Sequence, residues 1–200
     1  MVRRYYDKHL DPDGSGPVFR CEGFVRDGRI ARRGSGELPI EALPPFLRAL
    51  LVTDGTVTKL LEAYFWEPVE VQTAEQGFTA AERPIEWLDV SAGDQVLIRQ
   101  ARLRGAESGS VYATAFSVIR TELIPAAFRQ RLIDREIGIG ALIRDSGMES
   151  YREVLEVGLE PQGAGNSNAG SDRVFRTYRI IIDRRPVILI TETFPLALYA

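Results

Sequence analysis

Two hundred residues, 44% hydrophobic and 26% charged, suit one ordinary globular domain with its own core. A formal net charge of -3, with the basic residues scattered, gives no electrostatic argument for nucleic acid or an anionic membrane surface as partner. One cysteine, Cys21, and one histidine, His9, exclude an internal disulfide and a Cys/His metal cluster within one chain, and leave a Ser-His-Asp triad dependent on a residue of the polar N-terminal stretch.

No apolar run reaches transmembrane length, and Met1-Val-Arg-Arg-Tyr-Tyr-Asp-Lys8 has no apolar signal-peptide core, which points to the cytoplasm. Residues 1–37 are charged and glycine-rich. They read as a leader, partly ordered at most, ahead of a domain spanning 38–200. Pro44-Pro45 can open a helix carrying Phe46, Leu47, Leu50 and Leu51 at helical spacing. Asp54-Gly55 ends it, and Asp54 or Thr56 can cap a second helix with Val57, Leu60, Leu61, Tyr64 and Phe65 on its apolar side. The pair has a helix-turn-helix outline, but the second helix carries few basic groups, so two core helices are the expectation.

Pro68 restarts the chain as a strand, with Val69, Val71 and Thr73 alternating against Glu70, Gln72 and Ala74. Gln95 to Arg104 alternates as well. Arg99 falls on the face of Leu97, Ala101 and Leu103, whereas Arg102 and Arg104 share the more polar face. Arg99 is therefore the arginine expected to point inward. A buried guanidinium stays charged and needs an anion, either a structural carboxylate or a ligand's. Gly105 to Gly109 turns the chain into a hairpin partner, Val111 to Ile119. Pro125 opens a further helix through Phe128 and Leu132, Ile137-Gly-Ile-Gly140 breaks it, and Ala141 to Arg144 reads as another helical turn. The Gly-x-Gly lies outside any βαβ unit, so it argues for backbone N–H groups at a helix start rather than a dinucleotide site.

Tyr151 to Leu159 reads as a strand, Pro161 to Ser171 as a loop, and Phe175 to Ile182 with Pro186 to Pro195 as a closing hairpin turned at Asp183-Arg-Arg185. In its second arm Ile188, Ile190, Glu192 and Phe194 share a face, so Glu192 must find a partner, hold a proton or turn to solvent. The chain shows no repeat. Strands joined by turns and helical hairpins give an α+β fold with an antiparallel sheet and helices packed against it.

The run Leu43-Pro-Pro-Phe-Leu-Arg-Ala-Leu-Leu-Val-Thr-Asp-Gly-Thr-Val-Thr-Lys-Leu-Leu-Glu62 resembles the opening helices of chorismate pyruvate-lyases. Val96-Leu-Ile-Arg99, Gly138-Ile-Gly-Ala-Leu142, Tyr178-Arg-Ile180 and Pro186-Val-Ile-Leu-Ile-Thr-Glu-Thr-Phe-Pro195 follow in that family's order, so the resemblance covers about residues 38 to 195. It implies an antiparallel sheet with helical flaps over a buried ligand pocket. The implied activity is cofactor-free conversion of chorismate, a small-molecule substrate, to the aromatic acid 4-hydroxybenzoate and pyruvate. By the same resemblance Arg99 takes the ring carboxylate, helped by backbone N–H groups near Val57 and Ile139. Glu192 lies beside the 4-oxygen, orienting the substrate or donating a proton to the departing oxygen. No metal is implied, and the oligomeric state is open. Arg176 or Arg179 are candidates for the enolpyruvyl carboxylate. The strand Tyr112 to Phe116 departs from the family, with Thr114 where many relatives carry Glu and Ala115 where some carry a second arginine. Gly140-Ala-Leu142 lacks the basic residue often found after the glycine. Two other readings share the scaffold: a divergent enzyme with another substrate, and a non-catalytic aromatic-acid or other small-molecule binding module.

Overall fold

The structure, a computed structural model, describes residues 28–33, 36–134, 138–160 and 172–199. Six strands form one antiparallel sheet: β3 (Val69–Ala80), β4 (Gln95–Gly105), β5 (Val111–Ile119), β6 (Ser150–Glu160), β7 (Arg173–Ile182) and β8 (Arg185–Pro195). Their spatial order is β3-β4-β5-β8-β7-β6. Helices α1 (Pro45–Val52) and α2 (Val57–Phe65) precede the first three strands, and α3 (Ala126–Ile133) and α4 (Ile139–Ser146) precede the last three. A small ribbon, β1 (Arg29–Ala31) with β2 (Glu37–Pro39), lies within and beside the stretch read as a leader. Its Ile30 is fully buried, and Arg32 bridges to Leu159 of β6.

The order of elements is the same twice: two helices, then a three-stranded meander. The likeness reaches local detail. Both α1 and α3 have eight residues and open on a proline N-cap, Pro44 and Pro125. The first strand of each meander carries one register shift, between Thr73 and Glu75 in β3 and between Val154 and Glu156 in β6. The two halves meet where β5 pairs with β8. No repeat is visible in the sequence, because the halves share apolar pattern and turn positions rather than residue identities.

Each helix pair covers its own patch of one sheet face. Leu47, Leu50, Leu51 and Leu61 of α1 and α2 pack with Leu103, Tyr112, Val174 and Phe194. Phe128, Leu132, Leu142 and Ile143 of α3 and α4 pack with Leu97, Ile180, Ile188 and Ile190. Each such leucine or phenylalanine taken fully out of water contributes about 1.5–3 kcal/mol. A cavity lies between these two cores. On the other face, Leu88, Val96, Phe116, Val118 and Leu189 form a third core, with Trp87 packed against it.

Two details differ from the sequence reading. Helix α4 begins at Ile139, so Gly140 lies inside its first turn rather than in a break; Gly138 is the extended N-cap, and Ile137 lies outside the described residues. The closing hairpin turns on two residues, Asp183 and Arg184, both with positive φ (50° and 61°), the geometry of a type I′ turn.

Candidate active site

A cavity of about 460 Å³ lies between the helix pairs and the sheet. Its wall includes all four residues singled out in the sequence: Arg99 in β4, Glu192 in β8, Val57 at the first position of α2 and Ile139 at the first position of α4. The size suits a small metabolite.

Strand register explains how the charged groups come together. Arg99 lies opposite Ser117 of β5, Ser117 opposite Ile190 of β8, and Ile190 opposite Tyr178 of β7, so these four share one row across the sheet. The next row runs Ala101, Ala115, Glu192 and Arg176. Glu192 is thus two strands and one row from Arg99, roughly 12 Å from backbone to backbone. Both side chains line the cavity.

Arg99 is 2% exposed and donates from Nη2 to Thr73 Oγ1 at 2.8 Å, so a bulge-flanking residue of β3 helps aim the guanidinium. Glu192 is 7% exposed. Its Oε2 accepts from Arg176 Nε at 2.8 Å and its Oε1 from Tyr178 Oη at 3.2 Å. Of the three outcomes open to a carboxylate on this face, the structure thus shows the internal partner. Arg176 is 1% exposed, lies over the Tyr178 ring at 4.7 Å, and donates from Nη1 to the Thr53 carbonyl at 2.8 Å in the loop before α2. Burial, then the neighbouring Glu192 charge, pushes the Tyr178 phenol well above its usual pKa, with Arg176 and Arg152 opposing; Tyr178 is a hydrogen-bond donor at any working pH.

The two helix starts complete the wall. Thr56 and Gly138 are the N-caps of α2 and α4, neither helix has a side-chain cap bond, and neither has an acidic residue in its first turn. The sequence reading had offered Asp54 or Thr56 as a cap; neither side chain takes that part. The first backbone hydrogen bonds are Lys59 N to Thr56 O and Leu142 N to Gly138 O, so the earlier N–H groups point out of the helix ends. Two helix N-termini on one cavity favour an anion there.

Of the two arginines considered for a second carboxylate, Arg179 is misplaced. It faces the other side of the sheet, where it bonds Glu153 at 2.7 Å and the Trp87 carbonyl at 3.3 Å. Arg176 is directed to Glu192 and Thr53. Three other cations line the cavity, Lys59, Arg144 and Arg152. Alternation alone could not single these out, since the first two lie on the flap helices and Arg152 precedes a register shift.

The model profile of the Rv2949c-like chorismate pyruvate-lyases matches residues 51–200. A chorismate pyruvate-lyase of Mycobacterium leprae is 30% identical over 160 residues, 78% of this chain and 76% of the relative. Its counterpart in Mycobacterium tuberculosis H37Rv is 28% identical over 156 residues, 74% of this chain and 78% of the relative. Among solved structures, the effector domain of PhnF from Mycobacterium smegmatis superposes with a TM-score of 0.56 at 14% identity, over 70% of this chain and 88% of that one. A GntR-family regulator from Bacillus cereus does so with a TM-score of 0.52 at 14% identity, over 66% and 94%. At those identities the structures speak for the fold alone: the α+β, chorismate lyase-like scaffold expected from the sequence. The profile match over three quarters of the chain, with the mycobacterial relatives, decides the lineage: this chain belongs to the Rv2949c-like chorismate pyruvate-lyase family.

Proposed function

We propose that this protein is a lyase that converts chorismate to 4-hydroxybenzoate and pyruvate without a cofactor. The observation that carries the reading is the placement of Arg99 and Glu192 on one cavity wall, two strands and one row apart, beside two helix N-termini. The ring carboxylate pairs with Arg99 and accepts from N–H groups at Val57 and Ile139. The ring then lies over Ala101, Ala115 and Ile190, with its 4-hydroxyl toward Glu192.

The reaction breaks the bond between the ring carbon and the ether oxygen, so the enolpyruvyl group leaves with that oxygen. The neighbouring ring carbon gives up its proton, the ring becomes aromatic, and the released enol takes a proton on carbon to become pyruvate. Aromatisation drives the reaction, so the protein's contribution is geometry and charge in a site shielded from water. Glu192 already accepts from Arg176 and Tyr178, which supports the orienting role over proton donation to the departing oxygen. It presents a fixed acceptor to the 4-hydroxyl, held on both sides.

The test is pyruvate release from chorismate by the purified protein without added metal or cofactor. Stoichiometric pyruvate and 4-hydroxybenzoate are expected. Arg99→Ala should abolish binding of 4-hydroxybenzoate, and Glu192→Gln should lower kcat more than it raises KM. Binding of 4-hydroxybenzoate with no pyruvate would replace the lyase reading by a binding module, which the regulator-like scaffold also accommodates. Failure of both would point to another substrate.

A further inference from the structure

Chorismate carries two carboxylates and 4-hydroxybenzoate one. Resting on the lyase reading, we propose that Arg152 holds the second, enolpyruvyl carboxylate, and that this contact makes the site prefer the dianionic substrate to its monoanionic product.

Arg152 lies in β6 opposite Ile180 of β7, and Ile180 lies opposite Ile188 of β8, in the row next to that of Arg99 on the side away from Glu192. Both Arg152 and Ile180 line the cavity. Arg99 and Arg152 thus lie four strands or roughly 19 Å apart at the backbone before sheet curvature. Two arginine side chains reaching inward leave room for a molecule with a carboxylate at each end. Apart from Glu192, which is paired with Arg176, the acidic lining residues sit elsewhere. Glu70 lies in β3 at the far edge of the sheet, and Glu62 accepts from the Val69 N–H at 3.3 Å beside it.

The other cations are less suited. Arg144 is exposed and bonded to Asp145 at 2.8 Å. Lys59 is exposed on α2. Arg152 is half-buried on a strand, and among the described residues it forms no ion pair. Its one hydrogen bond among the described residues is from Nη1 to the Asp54 carbonyl at 2.6 Å. A guanidinium has five N–H donors, so this contact fixes the side chain and leaves a fork for a carboxylate. Asp54 belongs to the loop that opens α2, where Arg176 holds Thr53. The arginine that meets the departing group thereby also touches the flap over the ring.

After the ether bond breaks, pyruvate retains the charge that Arg152 holds, while 4-hydroxybenzoate keeps only the Arg99 end. The experiment measures chorismate KM and kcat and the 4-hydroxybenzoate Kd for wild type, Arg152→Ala, Arg152→Lys and Lys59→Ala. Loss of one charge-assisted contact predicts a KM raised roughly tenfold to a hundredfold in Arg152→Ala. Its 4-hydroxybenzoate Kd should stay within about twofold of wild type, which also reports an intact fold. Arg152→Lys should recover part of the loss. The inference is overturned if KM is unchanged in Arg152→Ala, if substrate and product weaken together (a merely structural grip on Asp54), or if Lys59→Ala produces the selective loss instead. A wild-type protein that binds 4-hydroxybenzoate but neither binds nor cleaves chorismate overturns the lyase reading itself, a result none of the variant outcomes resembles.

Discussion

Arg176 and Glu192 face each other across β7 and β8, and in the matching place of the first half Arg99 faces Ser117 across β4 and β5. Arg99 and Arg176 both sit on the central strand of their meander, and both are nearly inaccessible to water. In the second half a protein carboxylate meets the guanidinium at 2.8 Å. In the first half the opposing side chain is a serine. Replacing Ser117 by Glu should place an added carboxylate opposite Arg99, in the register Glu192 holds opposite Arg176.

A ligand carboxylate must then displace that group from Arg99. Hydrogen bonds to charged partners contribute about 1.5–3 kcal/mol each, so 4-hydroxybenzoate affinity should fall roughly tenfold to several hundredfold. The added side chain projects into the cavity rather than into close-packed core, and the new charge gains a partner, so the folded state should survive. Calorimetric titration of 4-hydroxybenzoate into wild type, Ser117→Gln and Ser117→Glu separates bulk from charge, since Gln has the same shape. Binding by Ser117→Glu equal to that by Ser117→Gln would refute the reasoning and remove Arg99 as the carboxylate site.

Arg176→Met should cost about 3–5 kcal/mol in urea unfolding, because it strands a buried carboxylate; adding Glu192→Leu should recover most of the stability and none of the turnover. Unchanged stability in the single variant would mean the pair is not buried in solution. The Tyr178 phenol is raised by burial first and the Glu192 charge second, and Tyr199 is raised by burial first. Their contribution is present in full below the unfolded tyrosine pKa of about 10 and is lost as pH rises beyond it, with a slope of up to about 1.4 kcal/mol per unit for each tyrosine. Tyr178→Phe should flatten that slope between pH 9 and 11, and an unaltered slope would count against the buried phenol. Glu67, which accepts from Tyr112 Oη, Ser108 N and Glu107 N, is lowered to about 2, the Tyr112 bond being the largest cause. Its contribution is present above the unfolded value near 4.5 and lost as pH falls toward about 2, so Glu67→Gln should reduce the acid sensitivity of thermal unfolding in that window. An acid profile identical to wild type would refute this.

The inward direction of Arg99 was legible because strand alternation is a local rule, and the environment of β4 respects it. The same rule put Glu192 on the inner face, yet it could not name Arg176 as its partner. A type I′ turn at Asp183 and Arg184 pairs Ile182 with Arg185 and Ile181 with Pro186, and continued unbroken would set Glu192 opposite Phe175. The register shift between Ile180 and Ile181 moves the pairing by one residue and brings Arg176 across. One extra residue in a ladder leaves no compositional mark in an apolar run such as Arg179-Ile-Ile-Ile182. Arg152 was hidden for the same reason, because the shift at Val154 and Glu156 sets which of its neighbours face the cavity. The helix starts were easier. Proline and glycine punctuate them, and only the exact first residue of α4 was displaced.

The doubled architecture also accounts for an asymmetric site on a nearly symmetric frame. Each half offers a helix N-terminus, at Val57 and at Ile139, and each offers an arginine on its central strand. A symmetric cavity would hold two equivalent anion sites. Glu192 breaks the equivalence by pairing with Arg176, which in the proposed reading makes that half a fixed acceptor for a hydroxyl rather than an anion receptor. In the proposed reading the two halves thus divide the ring between them, the first holding its carboxylate and the second its opposite oxygen. The same frame without that division has no reason to orient a para-substituted ring, which is why a fold shared with regulator domains does not by itself carry the chemistry. Exchanging the roles should then be destructive: Glu192→Ser combined with Ser117→Glu conserves the composition of both pairs and keeps one buried arginine–glutamate contact. It should nevertheless abolish turnover of chorismate, because the ring carboxylate and the 4-oxygen would have to trade places while the enolpyruvyl group stayed on the side of Arg152. Retained pyruvate release in that double variant would show that orientation along the Arg99–Glu192 axis is not what the site contributes.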